Sequence, residues 1–389
     1  MKIKWFRIFI FIACIFAFLQ RNTAYAKEES SKQAVDEKWV LDYTEEIDCE
    51  EIQKVMEDIL EELSFDFKEA IKMAIKGEDI FSKETILQAI TKTIEKAFYT
   101  EKATITRVLV IAVVGALIIN FSNVFQSGQV ADTSFFITYL LLFSALSVSF
   151  HNISQTAVLA LENLLEFMKV LLPAYFIAVT FATGSATSFV FYEISMMLVI
   201  VVEVIFVKIV IPLIHIYFVI RLVNYISKED YLSKAEELLE SGIKWLLRSL
   251  LGVATGYNFI QAMVVPVASH LKNSMVVKTV KLLPGIGTAV SSVAESVLGA
   301  GILVKNAVGI VGIFVIIMII SIPMVKIGFY CLLYKLGIAL IQPVSDKRIL
   351  ECLEGASKGS ALLLYVVFAG SVLFLLTIAI IMASTNRVM

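Results

Sequence analysis

Two carboxylates and one ammonium lie deep within a largely apolar stretch of this chain: Glu193, Glu203 and Lys208, inside residues 187–226. Ionisable side chains inside a bilayer cost free energy, and they mark places where a proton, a cation or an opposite charge is handled. At 3.6 residues per turn the spacing puts the two glutamates roughly 80° apart around one helix, so both can face a common interior. Either they form a protonatable or cation-binding pair, or they are buried in a helix interface, protonated or paired with Lys208 or a neighbouring helix. Other chemistry is sparse. His151, His215 and His270 are isolated, and Cys14, Cys49, Cys331 and Cys352 are too scattered for a metal or redox motif. H-E-x-x-H and G-x-x-x-x-G-K-[ST] are both missing, which argues against a zinc protease and a P-loop ATPase. No catalytic residue, metal or cofactor is assigned, and the chain is not read as an enzyme.

A second unusual element is the run from Lys281 through Pro284, Gly285 and Gly287, followed by Gly299, Gly301 and the stretch Lys305-Asn306-Ala307-Val308-Gly309. Proline and glycine free backbone groups from helix bonding, which a membrane tolerates only where protein or water satisfies them. A broken or re-entrant segment lining a passage would do so. Alternatively, the glycines permit close helix packing, or the segment is an interfacial loop.

The elements that position these residues follow from composition. Hydrophobic residues make up 58% of the 389 and charged residues 17%, with the apolar residues gathered in runs long enough to span a bilayer. Residues 1–26 read as a signal peptide: Lys2, Lys4 and Arg7, then an apolar run, then Ala24 and Ala26 as the small-residue cleavage site before Lys27. Residues 27–100 hold 20 acids against 10 lysines and form an acidic exported region, whereas residues 101–389 carry a small basic excess. Such a distribution excludes nucleic acid as a partner, which requires a basic patch.

In the exported region, apolar residues from Ile47 to Ile75 recur at three- and four-residue steps and predict one amphipathic helix ended by Gly77. A second helix is expected over residues 83–99 behind the cap Ser82. Asp42 to Glu62 form an acidic outer face, either a solvated surface or a docking patch for a basic partner. Spans are expected near 105–121, 134–150 and 168–183, then two over 187–226 split near Lys208 and Pro212, and others near 306–325, 327–341 and 360–382. Residues 227–249 keep a helical apolar stripe among charges. They predict an amphipathic cytoplasmic helix lying on the membrane surface or against a partner, with Ser227 and Asp230 at its start. From an outside N-terminus five crossings place it in the cytoplasm, and the positive-inside rule agrees. Residues 250–268 either span or re-enter, and 269–301 are expected to be re-entrant or interfacial. The fold class is all-α, a polytopic helical membrane domain over 101–389 with about seven or eight transmembrane helices behind a small exported helical region.

The order of a signal peptide, an acidic helical head, Gly256-Tyr257-Asn258-Phe259-Ile260-Gln261 with Pro266, Lys272-Asn273-Ser274, Pro284-Gly285-Ile286-Gly287 and Lys305-Asn306-Ala307-Val308-Gly309 resembles the stage III sporulation protein AE family of endospore-forming bacteria, over most of residues 40–385. The resemblance implies a multi-pass protein of the mother-cell membrane around the forespore. There it would be a subunit of a multiprotein channel or secretion-like apparatus that supports late forespore gene expression. Implied partners are other stage III sporulation membrane proteins, a companion cytoplasmic ATPase and a forespore membrane partner. The alternative is a stand-alone permease for a small solute, using Glu193, Glu203 and the glycine-rich segment.

Overall fold

The computed structural model describes residues 49–60, 65–78, parts of 91–121, 128–183, 186–226, 231–281, 287–343 and 345–385. Its elements are α1 (Cys49–Ile59), α2 (Phe67–Lys76), α3 (Gly128–Thr183), α4 (Ala186–Ile205), a π turn (Phe206–Val210), α5 (Ile211–Asn224), α6 (Ser233–Lys281), α7 (Gly287–Ile341) and α8 (Lys347–Thr385). No strand occurs among the described residues, so the all-helical class holds. The signal segment, Pro284 and Gly285 lie outside the described residues, as does most of 83–99.

The single amphipathic helix expected from Ile47 to Ile75 is two helices. Phe65 and Phe67 are both buried and flank Asp66, whose side chain caps α2 by accepting from the Glu69 N–H at 2.8 Å. Gln53 closes the gap: its Nε2 donates to the Phe65 carbonyl at 2.8 Å and its Oε1 accepts from the Phe67 N–H at 2.9 Å. One side-chain amide thus replaces the backbone bonds that the interruption removes. Gly77 ends α2 at φ 69°, a left-handed conformation that glycine adopts without a Cβ clash.

In the membrane body the expected breaks are helical. Residues 134–150 and 168–183 share α3, whose 56 residues run about 84 Å at 1.5 Å per residue. The expected split near Lys208 and Pro212 is a π turn. The Ile211 N–H reaches the Phe206 carbonyl one residue further back than in an α-helix, and Pro212, in the first turn of α5, needs no donor there. Residues 306–325 and 327–341 likewise share α7, with Pro323 inside it. Among the described residues four helices are therefore long and apolar enough to cross a membrane: Asp132–Thr180, Glu193–Asn224, Gly299–Ile341 and Lys347–Ala383. A shorter apolar helix, Thr106–Gly115, lies within the first expected span, and Gly115 abuts Thr138 of α3.

α8 is the central helix, with 72% of its most apolar window buried against 39% to 50% for the other three. Contacts fix the directions. Tyr139 meets Leu222, Phe150 meets Phe218 and Gly359, Leu161 meets Gly370, Ser149 meets Tyr334 and Leu171 meets Gly312. α3 and α8 therefore run one way, α5 and α7 the other. Close approach depends on missing side chains: a Cβ on Gly359 would sit 2.8 Å from the Phe150 ring, and one on Gly370 or Gly312 would sit 2.7 Å from a leucine methyl of α3. α1 and α2 pack onto α3 and α7, with Glu51 and Val55 beside Glu162, Leu165 and Glu166.

Candidate functional site

The three expected intramembrane charges do not converge. Glu203 is 1% exposed, wedged where α4 meets α3 and α8, one of its carboxyl oxygens 3.4 Å from where a Cβ of Gly370 would be. Neither oxygen has a hydrogen-bond partner among the described residues. Glu193 and Lys208, by contrast, are exposed. The sequence spacing allowed a shared interior, but the outer face of α4 takes Glu193 and the π turn points Lys208 outward. Of the two proposed roles, only a single enclosed carboxyl remains available.

Of the glycine-rich candidates, Gly287 opens α7, while Gly299 and Gly301 are buried within it. Lys305 follows, fully buried, and its Nζ donates to the Met382 carbonyl at 3.4 Å. Met382 lies in the last turn of α8, where carbonyls lack helical partners and the dipole is negative, so an ammonium is favourable there. Residues 269–281 continue α6, and residues 287–301 begin α7.

Two polar clusters that sequence reasoning did not assemble hold the bundle together. In the first, Asn258 and Gln261 of α6 converge on Ser195 of α4 and Thr377 of α8, all four buried. Ser195 donates to Gln261 Oε1 and, at 3.4 Å, to Asn258 Oδ1, and Asn258 Nδ2 donates to Thr377 at 3.0 Å. The signal for it was the i, i+3 spacing of two amides in an apolar segment, which places them on one helix face. In the second, Arg221 of α5 is 3% exposed at its side chain and pairs with Glu236 of α6 and, at 3.3 Å, with Glu351 of α8. Its guanidinium also lies over Tyr225, and Tyr217 bridges to Glu240, which pairs with Lys244. Burial pushes the Glu236 carboxyl above its usual range despite Arg221. Burial also acts on Glu240, but the Lys244 hydrogen bond and charge outweigh it and hold that carboxyl below the usual range. Tyr225 is pushed up to about 12 by burial and then by Glu351.

Residues 233–249 therefore have neighbours: their polar side meets Arg221 and Tyr217, while Ile243 and Leu247 are buried, and the expected start at Ser227 and Asp230 lies outside the described residues. Ser154 lies 2.7 Å from His215 Nε2, the contact nearest to a nucleophile and base. Phe150 stands edge-on to that imidazole at 5.2 Å, and Ser154 is enclosed, so the pair ties α3 to α5. Among the described residues no group of three histidine, cysteine or carboxylate side chains could hold a metal ion.

No solved structure matches the chain. It is 22% identical over 320 residues to stage III sporulation protein AE of Bacillus subtilis (strain 168), covering 81% of this chain and 79% of that protein. The family model described as stage III sporulation protein AE matches residues 65–385, which takes in α2, every long helix and both polar clusters. The chain belongs to the stage III sporulation protein AE family.

Proposed function

We propose that this chain is a non-enzymatic membrane subunit of a multiprotein channel or secretion-like apparatus that links mother cell and forespore during endospore formation and supports late forespore gene expression. One observation carries the reading beyond family membership. The buried polar side chains are spent on ties between helices, Arg221–Glu236–Glu351 and Ser195–Asn258–Gln261–Thr377. Such ties suit a scaffold or conduit that must hold its shape in lipid. Other sporulation membrane proteins, a cytoplasmic ATPase and a forespore membrane protein are its proposed partners, and the mother-cell membrane around the forespore its location.

The packing of the head supports an extracytoplasmic N-terminal region. Exposed large apolar residues run from Phe136 to Leu159 on α3, with Ile177 beyond, and from Ile322 to Leu340 on α7. At 1.5 Å per residue these stripes are about 35 and 27 Å long, close to the ~30 Å hydrocarbon core. Past Leu159 on α3 and before Ile322 on α7 the head covers both helices, which supports a head on one membrane side and the Arg221 cluster on the other. The amphipathic start of α6 then faces the cytoplasm. In this arrangement each long helix crosses once, which gives fewer crossings than the seven or eight expected from sequence. Signal cleavage after Ala26 and a passage-lining or packing role for Pro284, Gly285, Gly287, Gly299 and Gly301 belong to the same proposal.

Purified protein in liposomes tests the reading against the stand-alone permease, for which the enclosed Glu203 is the favouring observation. No saturable solute uptake is expected from the chain alone, and autonomous saturable uptake abolished by Glu203→Gln would replace the channel-subunit reading with the permease.

A further inference from the structure

Lys208 and Arg248 are exposed cations beside apolar surface. Lys208 lies in the middle of the candidate span Glu193–Asn224, between the exposed Val204 and Ile209. Arg248 is exposed on α6, on a face that also shows Leu238, Trp245, Phe259 and Met263. It stands one turn, about 6 Å, beyond the Lys244–Glu240 pair and about 22 Å short of Met263 along the helix, where the charged start of α6 gives way to apolar surface. Neither cation has an ion partner among the described residues.

The two cations stand at one height. α5 and α6 are antiparallel neighbours in contact at Arg221–Glu236 and Tyr217–Glu240. From the Arg221–Glu236 pair, Lys208 lies about 20 Å along one helix and Arg248 about 18 Å along the other. The π turn carrying Lys208 also touches α6. One and two turns beyond Arg248, the exposed Gly252 and Gly256 leave open space, with nothing within 4 Å of where a Cβ would be. Trp245 (70% exposed) and Phe259 (63% exposed) bracket the gap.

Lipid is a poor neighbour for two cations at the same depth, whereas a helix bearing a carboxylate satisfies them. We infer that this outer face of α6 is the seat of a partner's transmembrane helix, packed into the gap at Gly252 and Gly256 and carrying an Asp or Glu that pairs with Arg248 and Lys208. A second copy of this chain fits poorly: its own Arg248 would come to the same depth as the first. The glycines let the partner backbone approach, and the aromatic pair supplies the rim that excludes lipid from the ion pair. The inference rests on the channel-subunit reading, since it names the surface and the chemistry by which the subunit would assemble.

Full-length protein expressed in sporulating cells, solubilised and run on native gels provides the test. Arg248→Leu and Gly252→Leu are each expected to accumulate at the wild-type level, with Cys331 and Cys352 still shielded from maleimide, yet to associate roughly 30-fold or more weakly with the larger complex. Arg248→Lys should retain most of the association. Suppressors of Arg248→Glu should replace an Asp or Glu in a transmembrane helix of another chain. Arg248→Leu migrating like wild type would overturn this surface while leaving the assembly reading intact, as would suppressors confined to this chain. Wild-type protein migrating alone would defeat the assembly reading itself.

Discussion

Replacing Arg221 by leucine removes the cation that joins α5, α6 and α8. Glu236 is then left with a side chain only 10% exposed and no opposite charge of comparable closeness, while Glu351, 25% exposed, keeps access to water. Breaking a buried pair from one side costs about 3–5 kcal/mol because the remaining charge is stranded. The partly wet Glu351 and the hydrogen-bond capacity of Tyr217 and Tyr225 favour the lower end, so about 3 kcal/mol is expected, roughly a hundredfold in the unfolding equilibrium. Replacing Glu236 by leucine as well should recover most of the loss, since an apolar pair of similar volume can be neutral or stabilising. The buried thiols Cys331 and Cys352 report unfolding of purified protein in detergent through the rate of maleimide labelling under denaturant. The sign with pH is fixed. Glu236 already has a raised carboxyl pKa from burial, and losing Arg221 raises it further. The folded state then holds a proton that the unfolded chain has released, so the penalty is smallest below the ordinary carboxylate pKa and grows as pH rises through the folded value. Equal stability of the single variant and wild type at neutral pH would refute the reasoning, as would a double variant no better than the single.

Gly359→Leu should destabilise the bundle by about 1–3 kcal/mol in the same assay, because the new side chain meets a Phe150 ring already stacked on Phe218 at 4.0 Å. Ser195→Ala strips the donor from two buried amide oxygens and should cost about 1–3 kcal/mol, with Asn258→Ala and Ser195→Ala combined costing less than their sum. Lys244→Met should make stability less sensitive to acid: the lowered Glu240 pKa contributes stability above the ordinary carboxylate value that is lost as pH falls, and that contribution needs Lys244. N-terminal sequencing of membrane-extracted protein should begin at Lys27, and a start at Met1 would reject the cleavage.

The helical class and the apolar stretches were legible because hydropathy reports them directly, but the breaks between spans were not. Hydropathy drops at Glu162, Glu166 and Lys169 whether the chain turns or merely surfaces, and here α3 passes straight through while the head packs beside it. Pro212 suggested a loop because proline lacks a donor, and a π turn absorbed the defect instead. In the head, periodicity continued across Asp66, and only the long-range Gln53 amide shows why two helices replace one. Angular spacing gave Glu193 and Glu203 a shared face, yet which arc of α4 is enclosed depends on α3 and α8, distant in sequence. Asn258 and Gln261 stand together in the run 256–261, but their partners Ser195 and Thr377 are single hydroxyls in apolar runs with no pattern of their own.

Fluorescence from a late forespore-specific reporter, measured after engulfment in cells depleted of this chain, tests the proposed role most directly. Reporter activity should collapse while engulfment proceeds, and re-expression of the full chain should restore it. Normal reporter activity and normal heat-resistant spores without the protein would contradict the role in linking mother cell and forespore.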